Sequence, residues 1–142
     1  MIETFASDGV TLAVVIRRSY KSDGIEFFTP SNFSQQLGYM NRPARYVISP
    51  HTHNPVPRTV EWTQEVLFIK TGRVRLDLYT SEQKYLKSSI LEAGDVVLLA
   101  HGGHGFQVLE DAEIIEVKQG PYAGEHDKIR FSPIDDDQVR FS

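Results

Sequence analysis

Cysteine is absent from the chain, which excludes disulfides, zinc ribbons, iron–sulfur clusters and thiol nucleophiles. Long apolar runs are missing as well. The longest, 12–16 and 96–100, have five residues each, far short of the roughly 20 that a membrane-spanning helix needs. Nor is there an excess of positive charge. Fifteen Lys and Arg against 19 Asp and Glu give a formal net charge of −4 and a pI near 5.7, whereas a general nucleic-acid binder shows a dominant basic face. Residues 1–5 contain neither a basic stretch nor an apolar one, so no secretory signal is expected. A soluble, cytoplasmic protein with no nucleic-acid and no membrane partner is the expectation.

Helix signals are also scarce. One short helix is expected over 31–37, with Thr29 or Ser31 as its cap, Pro30 in the first turn and Gly38 at its end. Strand signals dominate instead. Residues 10–16 are β-branched and apolar, and Asp23-Gly24 separates them from a run at 25–28. Residues 46–53 read as a strand that leads into a proline-rich connection, 54–58, which cannot lie in a central strand. Residues 61–70 and 73–79 read as a hairpin turning at Thr71-Gly72, because Val74, Leu76 and Leu78 alternate with Arg73, Arg75 and Asp77. The apolar residues of that alternation are expected to line the interior. A weaker strand follows at 84–91, and the continuous apolar run 96–100 suggests burial on both faces. Two further strands, 106–109 and 112–118, are expected around a turn at Glu110-Asp111.

About eight short strands and one helix favour an all-β sandwich or small barrel. With 142 residues, 40% of them hydrophobic, a single domain over 1–142 is expected. Its core would span about 45–118, with strands and the helix in 1–44 before it and a polar surface tail, 120–142, after it.

The chemistry concentrates in a few residues. His51 and His53 stand two apart, so a strand would project both imidazoles from one face. Glu65 opens the next strand-like run, and His104 sits in the glycine-rich turn Gly102-Gly103-His104-Gly105. Three imidazoles and a carboxylate suit a divalent first-row metal with positions left open for a ligand. Burying Glu65 unpaired beside Val66, Leu67 and Ile69 would be costly, which favours a partner for it. Glu61 shares the strand face of Glu65 and competes with it for the carboxylate position. His101 competes with His104, and His126 reads as plain surface. Arg58 and Trp62 in the insertion 54–62 suit a rim that grips an anionic or ring-shaped ligand. Equally, Arg58 reads as solvated and Trp62 as packed in the core or at a dimer interface.

These residues resemble the cupin superfamily. The first cupin motif, Gly-x5-His-x-His-x3–4-Glu-x6-Gly, is matched by His51-Thr52-His53 and by Glu65 with Gly72 six residues beyond. The second, Gly-x5-Pro-x-Gly-x2-His-x3-Asn, is echoed by Gly94-Asp95, Gly102 and His104. The likeness covers roughly 45–118. Arg45 replaces the leading glycine, eleven residues separate His53 from Glu65, Ala100 replaces the proline, His104 falls one residue early, and Val108 replaces the asparagine.

The resemblance implies a double-stranded β-helix, a jelly-roll barrel, with Fe, Mn, Ni or Zn held by His51, His53, Glu65 and His104. It also implies a homodimer and a small-molecule ligand. The nearest likeness is to small single-domain cupins of sugar and polysaccharide metabolism, which suggests action on, or binding of, a small oxygen-rich metabolite. Isomerase or epimerase, hydrolase and dioxygenase chemistry all remain open, with Tyr46, Glu61 and Arg58 as candidate catalytic side chains. One alternative is a metal-independent nucleotide-sugar epimerase or ketoisomerase with His51 or His53 as base and Tyr46 or Tyr79 as acid. Another is a non-catalytic metabolite-binding module. Arg45 and Arg75 are further candidates for the pocket lining.

Overall fold

Runs of Val, Leu and Ile favour a pleated, half-buried surface over a helix, and the computed structural model, which describes residues 1–141, is mostly β. Its strands are β1 (Ile2–Ser7), β2 (Val10–Ile16), β3 (Gly24–Phe27), β4 (Gly38–Asn41), β5 (Glu65–Tyr79), β6 (Tyr85–Glu92), β7 (Val96–Leu99) and β8 (Gly103–Lys118). Six of them form one antiparallel sheet in the order β1-β2-β7-β5-β6, with β8 on the other side of β5. That sheet curls strongly into a half-barrel. Strands β3 and β4 form a separate two-stranded ribbon.

Two expected hairpins are single strands. Residues 65–79 run unbroken through Thr71-Gly72, and 103–118 run unbroken through Glu110-Asp111. The two strands pair with each other, Glu65 opposite Lys118 at one end and Tyr79 opposite Gly103 at the other. The register slips between Ile69 and Val74, where Gly72 has φ +84° and a side-chain β-carbon at that position would collide with the Asp111 carbonyl. The residues that looked like turns therefore face each other as one bulge, which bends both strands together.

The expected helix over 31–37 is also absent. The residues form turns, with Phe33 N–H bonded to Pro30 O and Phe28 N–H to Leu37 O. Leu37 is buried and Phe33 packs beside it against Val14 and Leu98, so tertiary packing sets this local conformation. Residues 46–53 form no strand either. The stretch 42–64 is irregular, and 43–63 is exposed throughout. The N-terminal strand β1, carrying only Phe5 into the core, had no clear period-2 signal in the sequence.

The concave face holds the main core: Ala13 and Val15 of β2, Leu67, Val74 and Leu76 of β5, and Val97 of β7, among others. A second cluster, Val14, Ile16, Leu37 and Leu98, lies on the convex side. Strand β7 thus contributes to both, as its uninterrupted apolar run implies.

The alternation in β5 also has two buried sides. Val74 and Leu76 fill the interior, while Arg75 and Asp77 are only 8% and 4% exposed on the other face. There the Arg75 guanidinium donates to both Asp77 carboxylate oxygens, at 2.9 and 3.0 Å, and to Asp136 of the C-terminal segment at 3.1 Å. Ser88 of β6 donates to Asp77 as well. Arg140 N–H donates to the Tyr85 hydroxyl, and Phe141 bridges to Ser88. The C-terminal tail is therefore a polar strap across β5 and β6, tied down by bonds to charged groups that are stronger than neutral ones. Among the described residues, no helix is long and apolar enough to cross a membrane.

Candidate functional site

The curl of the β5–β8 ribbon sets the site. Glu65 begins β5, His104 lies at the start of β8, and the register pairs His104 with Leu78 at the far end of β5. Residues directly opposite in an antiparallel pair share a face. Leu78 and Leu67 are interior, so His104 and Glu65 also face the concave side. Bending at the Gly72–Asp111 bulge brings these opposite ends round until Glu65 Oε2 and His104 Nε2 are 3.6 Å apart.

Lys118, opposite Glu65, adds its Nζ 3.9 Å from Glu65 Oε1 and 3.6 Å from Asp127 Oδ2. Thr63 donates to the other Asp127 oxygen at 3.0 Å. The Glu65 side chain is 13% exposed and that of His104 34%. One member of the pair is thus sheltered and the other accessible. The His104 imidazole holds the Glu65 carboxyl below its ordinary range, against burial, which pushes it up; the Lys118 and Lys128 charges add to the lowering.

The other expected ligands lie elsewhere. His51 and His53 sit on the irregular stretch between β4 and β5, both exposed, with their ring centroids 5.2 Å apart. His51 Nδ1 lies 2.8 Å from Ser49 O. Strand geometry does not aim these rings, because no strand forms there. The structure therefore assembles the four residues as two pairs, Glu65 with His104 and His51 with His53. Among the described residues, no group of three or more His, Asp or Glu side chains is placed to hold a metal ion.

His101 does not stand in for His104. Its ring meets Phe33 and Trp62 edge-on at 5.6 and 5.8 Å. It belongs to a separate cavity of about 470 Å³, whose wall includes Phe33, Thr59, Glu61, Trp62 and Gln64. That volume falls within the range of small-molecule sites. Gln64 and Glu65 are adjacent, so they point to opposite sides of β5. Gln64 accepts from Gln35 N–H at 3.0 Å on the convex side, and Glu61 lies in this cavity wall, apart from the Glu65–His104 pair. Trp62 is exposed at the cavity rim rather than in the core.

Tyr46 is half-exposed beneath the Arg42 guanidinium, 4.5 Å from its ring centroid, and among the described residues the Arg58 side chain bonds to Val56 O alone, at 3.5 Å. Tyr79 is buried with its ring against Phe131 and its hydroxyl toward Ile134 N–H. Arg45 is exposed, and Arg75 faces the strap. Lys118, Asp127 and Thr63 had no motif to mark them. Only the pairing of β5 with β8 reveals Lys118, since it places that residue opposite Glu65. No protein-family profile, curated protein sequence or solved structure matches the chain.

Proposed function

We propose that the protein binds a small oxygen-rich metabolite, a sugar or sugar derivative, at the open end of the half-barrel, and moves a proton next to its carbonyl. The contact between Glu65 and His104 carries this reading. A neutral His104 that turns its Nε2–H toward an ionised Glu65 keeps the Nδ1 lone pair free to take a proton. Contacts of this kind are often long before a ligand closes on them. The buried carboxylate fixes the ring and stabilises the imidazolium that forms. Lys118 supplies positive charge where an enediolate oxygen would develop. Return of that proton by His104 to the neighbouring carbon is isomerisation; return to the opposite face of the same carbon, with solvent water as the proton donor, is epimerisation.

This differs from the sequence expectation in two respects. Where the leading expectation has a metal held by His51, His53, Glu65 and His104, this reading routes no step through one; where the metal-independent alternative has His51 or His53 as base, this reading has His104.

The test is deuterium exchange, followed by NMR in D₂O, across a panel of phosphorylated and nucleotide-linked keto-sugars. The parent protein should exchange the proton next to the carbonyl of at least one of them. His104→Asn should lose about 100-fold or more, the usual weight of a general base. Glu65→Gln should lose about tenfold, as expected for a group that orients another. Exhaustive chelation should leave the rate unchanged. Exchange by His104→Asn at the parent rate would overturn the assignment. Loss on chelation with recovery on adding a divalent cation would favour the metal-dependent reading instead.

A further inference from the structure

Two parts of the chain lack partners, and they match. Strand β8 is 16 residues long and pairs with β5 along one edge only; among the described residues its other edge has no strand beside it. Its apolar residues are left in solvent. Val108, which shares the concave face with Val74, is 57% exposed, and Leu109, Ile114, Ile115 and Val117 are also exposed. Long, apolar, unpaired edges invite another strand.

The second part is the stretch 42–58. Among the described residues its hydrogen bonds are internal: Tyr46 N–H to Pro43 O, His51 to Ser49 O, Arg58 to Val56 O. It contains the β-favouring run Tyr46-Val47-Ile48, fully outside the core, with Val47 77% exposed.

The charges match too. Residues 42–58 carry Arg42, Arg45 and Arg58 and no acid, while β8 carries Glu110, Asp111, Glu113 and Glu116 against the single Lys118. The surface area agrees. A compact monomer of 16.1 kDa exposes roughly 7,400 Å², yet this chain exposes 9864 Å². The excess exceeds the roughly 800 Å² that each partner gives to a standard interface.

We infer that the protein is a dimer in which each copy lays its 42–58 arm along the free edge of the other copy's β8. A second copy is favoured over the chain's own arm because, among the described residues, the arm makes no hydrogen bond back to its own sheet and leaves both apolar surfaces open. In the antiparallel register that sets Arg42 against Glu116 and Arg45 against Glu113, His53 reaches the level of Gly105. The arm of one copy then borders the His104 of the other. This inference does not rest on the proton-transfer reading, and its test needs no substrate.

Sedimentation equilibrium should give twice the chain mass for the parent. Val47→Asp/Ile48→Asp places two carboxylates beside an acidic strand, so it should weaken dimerisation by at least about 100-fold with an unchanged circular dichroism spectrum. The chain has no cysteine, so Val47→Cys and Val108→Cys variants can be co-refolded and treated with a short bismaleimide. Linked dimers joining one variant to the other are expected. In the double variant of one chain, linkage that runs at monomer mass would show the arm folding onto its own sheet and would overturn the inference. A monomeric parent, or a double-aspartate variant that stays dimeric, would overturn it as well.

Discussion

At the scale of single residues, the sequence exposed the two members of the central contact but not the reason they meet. Glu65 stood out as a carboxylate in an apolar run that needed a partner, and His104 as the histidine of a glycine turn. They do face one another, at 3.6 Å. His51 and His53 stood out equally, yet their same-face projection depended on a strand that does not form in the single chain. Lys118 was invisible because nothing local distinguishes it from any other lysine at a strand end.

The Glu65–His104 contact has a consequence for stability. A carboxyl held below its ordinary value in the folded protein binds fewer protons there than in the unfolded chain. Its contribution is therefore fully present above the unfolded value, about pH 4.3, and is lost as the pH falls through the lower folded value. Urea unfolding of the parent should accordingly weaken more steeply below about pH 4.3 than that of Glu65→Gln. The difference in slope should not exceed the roughly 1.4 kcal/mol per pH unit of one proton. Parallel profiles would show that the folded protein does not favour the ionised form.

At the scale of elements, local patterning located most strands and misread their continuity. Val10–Ile16 matches its expected bounds, 84–91 shifts by one residue at both ends, and 96–100 ends one residue early. The errors fall at Gly72 and Asp111, where a glycine with φ +84° and an acidic pair look like hairpin turns. A bulge and a hairpin use the same residue chemistry. Only the partner strand distinguishes them, and that partner is about 40 residues away, outside any local window.

The bend is therefore the feature to break. Gly72→Ala forces a side chain into a left-handed backbone position and against the Asp111 carbonyl, so it should cost about 2 kcal/mol or more. Chemical denaturation checks this. A loss below about 0.5 kcal/mol would mean that the ribbon does not need its bulge at that residue.

At the scale of the whole molecule, the curl of one long two-stranded ribbon joins residues that begin different strands, and it leaves one edge of the sheet uncovered. The expected barrel class is met as far as a strongly curled, half-closed antiparallel sheet. Composition anticipated neither the strap of Asp136 and Arg140 over β5 and β6 nor the excess of exposed surface. Both depend on where a polar segment is docked, and polarity alone does not encode that.

The site exists because distant strand starts converge, and the imidazole ¹⁵N spectrum of His104 at neutral pH reports that convergence most directly. The Nε2-protonated tautomer is expected, with the His104 resonances displaced in Glu65→Gln and those of the other four histidines unmoved. A His104 signal that is the same in parent and variant would contradict the contact on which the proposed chemistry depends.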